Sequence, residues 1–357
     1  MMTGRQQQFS GEEAPPAHLA LDLDRLADWL GPLLPGMGRD LAATKFKGGQ
    51  SNPTYRLSGP GGSYVLRRKP PGTLVASAHQ IDREFGILTA LSHTDAPAPR
   101  PYFYCEDTSI IGSEFYIVEH VAGRVFWEAD MSDVPATDRA IVYEDMNRVI
   151  ATLHDLDPQA IGLGTLARTG DYAARNLARW SKLYAQSALV PIPDMDWLIA
   201  HLPNHMPATE QTCLIHGDYG LYNLIIHPDQ PRIMAVLDWE MATLGDPLID
   251  LAHHLRAWWD LPDSGLAATS LAGLDLPTLG IPSMEDYVAA YCARRGIAVP
   301  NMRWYLAFAQ FRYAAMVQGI LKRAADGTAS SRVMVHSQDR VIRIAAMARA
   351  SLEALIA

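Results

Sequence analysis

The sequence predicts an α+β chain of two lobes, a small β-rich one followed by a larger, mainly helical one. Three observations predict it. Between residues 40 and 121, short apolar runs alternate with Gly and Pro turns, as antiparallel strands require. Beyond Gly123 apolar residues recur mainly at helical spacings over long stretches. Within that helical part, residues 214–226 and 235–240 interrupt the pattern as a short strand pair carrying polar groups. The expected division is an N-terminal arm with a short helix (1–39), a small lobe (40–121) and a large lobe (122–357).

The elements follow in order. Residues 1–18 are polar and read as a mobile arm. A helix starts at Asp22 or Asp24, with Leu23, Leu26, Ala27 and Leu30 on one side, and ends at Gly31-Pro32. Residues 44–57 read as strand, Gly turn, strand, and 63–68 as the next strand after a Gly59–Gly62 turn. Residues 79–91 are helical, with Ile81, Phe85, Leu88 and Leu91 in register, until the proline run 96–101 breaks the pattern. Strands are expected at 102–105 and 115–121, then helices at 140–155, 173–187, 195–202, 250–259, 284–295, 302–323 and 333–356.

At 357 residues the chain can hold two ordinary cores, and 48% hydrophobic with 19% charged residues describes a globular protein. A net charge of −9 disfavours nucleic acid and anionic membranes as partners. Cys105, Cys213 and Cys292 are scattered, without disulfide or zinc spacing. No apolar run approaches the roughly 20 residues that cross a bilayer. The polar start lacks a leader pattern, so a cytoplasmic enzyme is expected.

The chemistry concentrates in His216-Gly-Asp218-x-x-x-x-Asn223 and in Asp238, at the end of another apolar strand. A carboxylate to align a hydroxyl, an Asn to hold a metal and an Asp on the same metal are the parts of phosphoryl transfer. Asp218 is therefore the expected catalytic base, and Asn223 and Asp238 the expected Mg²⁺ ligands, since hard cations take oxygen donors. His216 reads as a buttress of the loop and Asp246 as a cap. A buried strand pair with capping aspartates is the plainer alternative.

This arrangement resembles the aminoglycoside phosphotransferase and choline kinase group of small-molecule kinases over nearly all of residues 40–357. Gly48-Gly-Gln-Ser-Asn52 with Tyr64-Val-Leu-Arg-Arg68 looks like the subgroup found beside acyl-CoA dehydrogenases. The resemblance implies a bilobal protein-kinase-like fold, ATP with Mg²⁺, and a small-molecule hydroxyl acceptor. Gly48, Gly49, Ser51 and Asn52 form the expected phosphate turn. A cation on the third strand should meet the phosphates, paired with Glu84 on the following helix. The family usually has Lys there; this chain has Arg67, followed by Arg68 and Lys69, so the identity of the cation stays open among the three. Residues 115–121 match the hinge that binds adenine, which carries over Glu119 and Val121 as contacts. Asp250 matches a residue that supports the catalytic loop.

Other patterns are weaker. Asp22-x-Asp24 recommends a cap rather than a phosphatase pair, and Pro203 spoils His201 and His205 as a helical metal pair. His253 and His254 are adjacent and point apart, while Trp258 and Trp259 read as packing or as a wall of the acceptor site. From His253 onward eleven Arg and Lys oppose eight Asp and Glu, which disfavours a polycationic antibiotic. The expected activity is phosphorylation of a neutral or anionic hydroxyl metabolite, with a hydroxyacyl compound in view. An aminoglycoside- or choline-type kinase and a nucleotide-binding module without turnover remain alternatives.

Overall fold

The computed structural model describes residues 6, 9–38, 40–47, 52–70, 80–167, 170–208, 211–261, 270–327 and 337–357. In chain order the elements are β1 (Glu12–Glu13), α1 (Leu23–Leu30), β2 (Ala42–Phe46), β3 (Thr54–Gly59), β4 (Gly62–Arg68), α2 (Ile81–Leu91), β5 (Pro101–Cys105) and β6 (Phe115–Glu119). After them come α3 (Ala136–Asp155), α4 (Tyr172–Ser187), α5 (Pro193–His201), β7 (Cys213–Ile215), β8 (Leu224–Ile226), β9 (Ile233–Val236) and β10 (Thr243–Gly245). The chain closes with α6 (Pro247–His254), α7 (Arg256–Trp259), α8 (Leu276–Leu279), α9 (Met284–Arg295), α10 (Arg303–Ala325) and α11 (Gln338–Ile356).

The chain divides into two compact units. The first comprises residues 1–127, 161–163 and 221–242, and the second 128–160, 164–220 and 243–357.

In the first unit an antiparallel six-stranded sheet has the order β1-β2-β3-β4-β6-β5. Strand alternation sends successive side chains to opposite faces. One face takes Tyr55, Leu57, Leu66, Phe115 and Ile117 into a core with Leu26 and Leu30 of α1. Asp22 caps α1 by accepting the Arg25 N–H at 3.1 Å, as its place before the apolar stripe predicts. The opposite face carries Arg67, Tyr104 and Tyr116, and Phe85 of α2 packs against both tyrosines. The hairpin β8–β9 pairs Leu224 with Val236, and the Arg124 N–H donates to the Ile226 carbonyl at 2.7 Å.

One expectation is overturned here. The segment read as a free arm is partly tied down: Glu12 and Glu13 pair with Phe46 and Lys45, and Gln6 Nε2 donates to the Val125 carbonyl at 2.7 Å. Two residues of strand carry too little periodicity to be read from sequence.

The second unit is built on α10, a 23-residue helix buried on several sides through Trp304, Phe308, Phe311 and Val317. Such an all-round apolar helix sits at the centre of its layer. In the same unit β7 pairs antiparallel with β10, Ile215 opposite Thr243, and α6 starts immediately after β10. Pro247 at the first helical position and the Asp246 carboxylate on the Leu248 N–H at 2.8 Å define that start. The three cysteines are buried and free, and among the described residues no helix is long and apolar enough to cross a membrane.

Candidate active site

In the first unit Arg67, near the end of β4, sits among carboxylates. Its Nη2 lies 2.7 Å from Asp238 Oδ1 and 3.1 Å from Glu240 Oε2, and its Nε lies 3.1 Å from Glu84 Oε2. Arg67 Nε and Glu84 Oε2 form an ion pair rather than an aligned hydrogen bond. Burial alone would lower the Arg67 pKa, but Glu84, Tyr116, Asp238 and Glu240 outweigh it, and the guanidinium stays charged. Burial opposes ionisation of the Glu84 carboxyl, and the Arg67 guanidinium beside it works against that rise. The remaining candidates differ: Arg68 Nε donates to Ser113 Oγ at 2.9 Å, and Lys69 Nζ pairs with Glu114 at 2.6 Å. Alternation along β4 thus separates Arg67 from Arg68.

Asn223 and Asp238 stand at the shared end of β8 and β9, where the Leu237 N–H donates to the Asn223 carbonyl at 2.8 Å. Asp238 has φ 64° and ψ 62°, the left-handed region that costs a β-carbon-bearing residue on the order of 1 kcal/mol or more. The turn is held by Trp239, buried, whose Nε1–H donates to the Val236 carbonyl at 2.9 Å. Two oxygen-donor side chains at one hairpin end fit a divalent cation that takes its other ligands from phosphates and water. Among the described residues no group of three His, Cys, Asp or Glu side chains makes an all-protein metal site.

Asn52 is buried, and its carbonyl accepts from Thr54 Oγ1 at 3.0 Å. Gly48, Gly49 and Ser51 lie outside the described residues. Strand β6 ends at Glu119, two residues earlier than expected, so Val121 falls beyond it. The Glu119 N–H donates to the Arg100 carbonyl at 2.8 Å, just ahead of β5.

In the second unit Asp218 follows the buried strand β7 through His216 and Gly217, whose φ of 81° suits glycine. Asp250 on α6 holds this loop: its Oδ2 accepts the His216 N–H and its Oδ1 the Gly217 N–H, both at 2.8 Å. His154 Nε2 stands 3.1 Å from the same carboxylate, and His154 Nδ1 meets Tyr291 Oη at 2.7 Å. A carboxylate only accepts, so the His154 proton is on Nε2 and Tyr291 donates to Nδ1. Burial would raise the Asp250 pKa, yet His154 and the His216 N–H outweigh it and hold it down at about 2.

The buttress role expected of His216 is seen in its buried ring, whose Nδ1 accepts the Asp218 N–H at 3.3 Å. Arg312 Nη2 donates to the Gly217 carbonyl at 3.0 Å. His253, set aside in the sequence for pointing away from His254, has Nε2 3.1 Å from Asp218 Oδ1. Glu240 was likewise missed, although it lies two residues after Asp238. Neither carries a local signal, since each acts through a distant partner. Meanwhile His201 stacks on Trp197, and Trp258 and Trp259 pack on Tyr143 and Tyr313.

The structure thus groups Arg67, Glu84, Asp238 and Asn223 in the first unit, and Asp218, His216 and Asp250 in the second. The loop runs from one to the other between Gly220 and Leu221.

Residues 42–305 match the phosphotransferase enzyme family. Rattus norvegicus acyl-CoA dehydrogenase family member 11 is 40% identical over 326 residues, covering 89% of this chain and 42% of that protein. The chain spans less than half the length of the curated relatives it matches first. The crystal structure of a candidate aminoglycoside phosphotransferase from Ralstonia eutropha is 40% identical, with a TM-score of 0.85 over 94% of this chain and 99% of that one. Aminoglycoside phosphotransferase APH(4)-Ia, a thermostable mutant in ternary complex with ADP and hygromycin B, shares the fold at 17% identity and a TM-score of 0.55, over 93% of this chain and 97% of that one. The two-lobed kinase-like arrangement, strand-rich then helical, is therefore the fold of this protein, and the chain belongs to the phosphotransferase enzyme family.

Proposed function

We propose that this phosphotransferase moves the γ-phosphoryl group of ATP, with Mg²⁺, to a hydroxyl of a small neutral or anionic metabolite, a class that includes hydroxyacyl compounds. The observation that carries this reading is the Arg67 cluster: one buried cation paired with Glu84 and touching Asp238. A phosphate-binding cation and a metal-binding carboxylate in contact are what transfer from a nucleotide needs. The fold neighbour that holds ADP supports the choice of nucleotide.

Arg67 grips phosphate oxygens, and Glu84 keeps its guanidinium oriented. Asn223 and Asp238 would hold Mg²⁺, which when bound would offset the phosphate charge. Asp218 aligns the acceptor hydroxyl and takes its proton as the new O–P bond forms and the bond from the γ-phosphorus to the β–γ bridging oxygen breaks, releasing ADP. Because the transition state is loose, alignment and charge neutralisation account for most of the rate. Arg312, whose Nη2 donates to the Gly217 carbonyl beside Asp218, puts positive charge next to the base, which favours an acceptor without positive charge.

The test is ATP consumption over a panel of hydroxylated metabolites that includes acyl-CoA derivatives and aminoglycosides. Turnover with a neutral or anionic compound, lost in Asp218→Ala, is the expected result. Turnover with aminoglycosides alone would redirect the acceptor class. Nucleotide binding without turnover on any compound would leave a binding module.

A further inference from the structure

Helix α6 holds the loop after β7 at two residues one turn apart. Asp250 takes the backbone N–H groups of His216 and Gly217, and His254 Nδ1 lies 3.3 Å from the Tyr219 carbonyl. His253 lies three residues after Asp250, on the same side of the helix. We propose that His253 is a positioning residue for the base: its Nε2–H donates to Asp218 Oδ1, 3.1 Å away, and fixes the direction in which the carboxylate meets the acceptor. This rests on the reading of Asp218 as base.

The chemistry of the pair assigns the proton. A carboxylate supplies no hydrogen, so a hydrogen bond at this distance requires the Nε2–H tautomer of the ring. The ring is buried, with its side chain 8% exposed against 34% for Asp218. Burial first, then Arg312 on α10 and Arg256 on α7, push the His253 pKa down, and Asp218 opposes them. The imidazole is therefore neutral at pH 7. A neutral donor orients the carboxylate without cancelling its charge, whereas an imidazolium would form an ion pair and weaken the base. The adjacent His254 has a structural partner instead, with Nε2 2.8 Å from Tyr287 Oη.

Two measurements on the full chain test this. Nitrogen-15 NMR of the labelled histidines reads the tautomer without any acceptor: His253 should carry its proton on Nε2, and its signal should shift in Asp218→Ala. An Nδ1–H tautomer overturns the proposal, whatever the protein phosphorylates. Mg·ATP hydrolysis, with water as acceptor, supplies the second readout. His253→Leu should lower kcat roughly 10²-fold, the cost of a misplaced reacting group, with the KM for ATP unchanged. His253→Gln, whose amide N–H can reach the same oxygen, should recover most of the loss. Equal losses in both variants with equal falls in Tm would show a packing role and overturn the proposal. A silent His253→Leu beside a dead Asp218→Ala would also overturn it. A silent Asp218→Ala would instead sink the reading of the base itself.

Discussion

Arg67 occupies the position where the family usually places Lys, and the structure gives it a Glu84 partner and two further carboxylates. Arg67→Ala should raise the KM for ATP and lower kcat together, in steady-state kinetics on the acceptor found. Arg67→Lys should keep substantial activity, since an ammonium still reaches one carboxylate, though not in a fork. Its neighbour needs a revised expectation. From sequence, Arg68→Ala would do little; in the structure Arg68 is buried and donates to Ser113, which donates in turn to the Lys69 carbonyl at 3.1 Å. That variant should lose stability, by roughly 1–3 kcal/mol for the stranded polar groups, with an unchanged KM for ATP. Asp218→Ala should lower kcat roughly 10²–10⁴-fold while calorimetry finds nearly unchanged nucleotide affinity. Wild-type kcat would remove Asp218 from the chemistry.

At the scale of elements, one carboxylate ties α6 to the loop after β7. Asp250 is buried and its pKa is held at about 2, below the ordinary 3.8, by His154 and the His216 N–H against the cost of burial. Its contribution to stability is therefore complete above about pH 3.8 and is lost as pH falls through about 2. Asp250→Asn should cost roughly 2 kcal/mol at pH 7 by that shift alone, measured by urea unfolding. The gap between parent and variant should narrow across that acid window. A gap independent of pH would mean that shape rather than charge holds the loop. The hairpin β8–β9 does the corresponding work in the first unit, with Asp238 in a left-handed turn at its end.

For the molecule as a whole, ligand binding should appear as stability. Any ligand that prefers the folded chain stabilises it, by about 2.7 kcal/mol at one hundred times its Kd. Saturating Mg·ATP should raise Tm in the parent, and Asp238→Asn should blunt that rise more than it changes the Tm of the free protein. An equal rise in both would take Asp238 out of the metal site. Ion pairing also offsets much of the positive charge of the second unit. Arg294, Arg295, Lys322, Arg340 and Arg349 are paired with Glu144, Asp155, Asp326, Asp260 and Asp194. The basic excess counted along the chain is therefore largely spent internally. Arg312, on the Gly217 carbonyl beside Asp218, supports the acceptor class better than that count does.

Sequence by itself determined the local elements and the order of the chemical groups. Helix α9 matches the expected 284–295, and α1 begins after its Asp22 cap, because capping and periodicity are properties of neighbouring residues. The loop motif was legible for the same reason: His216, Asp218 and Asn223 keep a fixed spacing along the chain. Only the tertiary structure decided which of Arg67, Arg68 and Lys69 faces Glu84, since one residue of register along β4 moves a side chain to the other face. It alone brought Glu240 to Arg67 and His253 to Asp218, and paired Glu12 with Phe46. The first two partnerships join residues separated by 173 and 35 positions. No local propensity encodes them; packing of whole elements brings them within hydrogen-bonding distance.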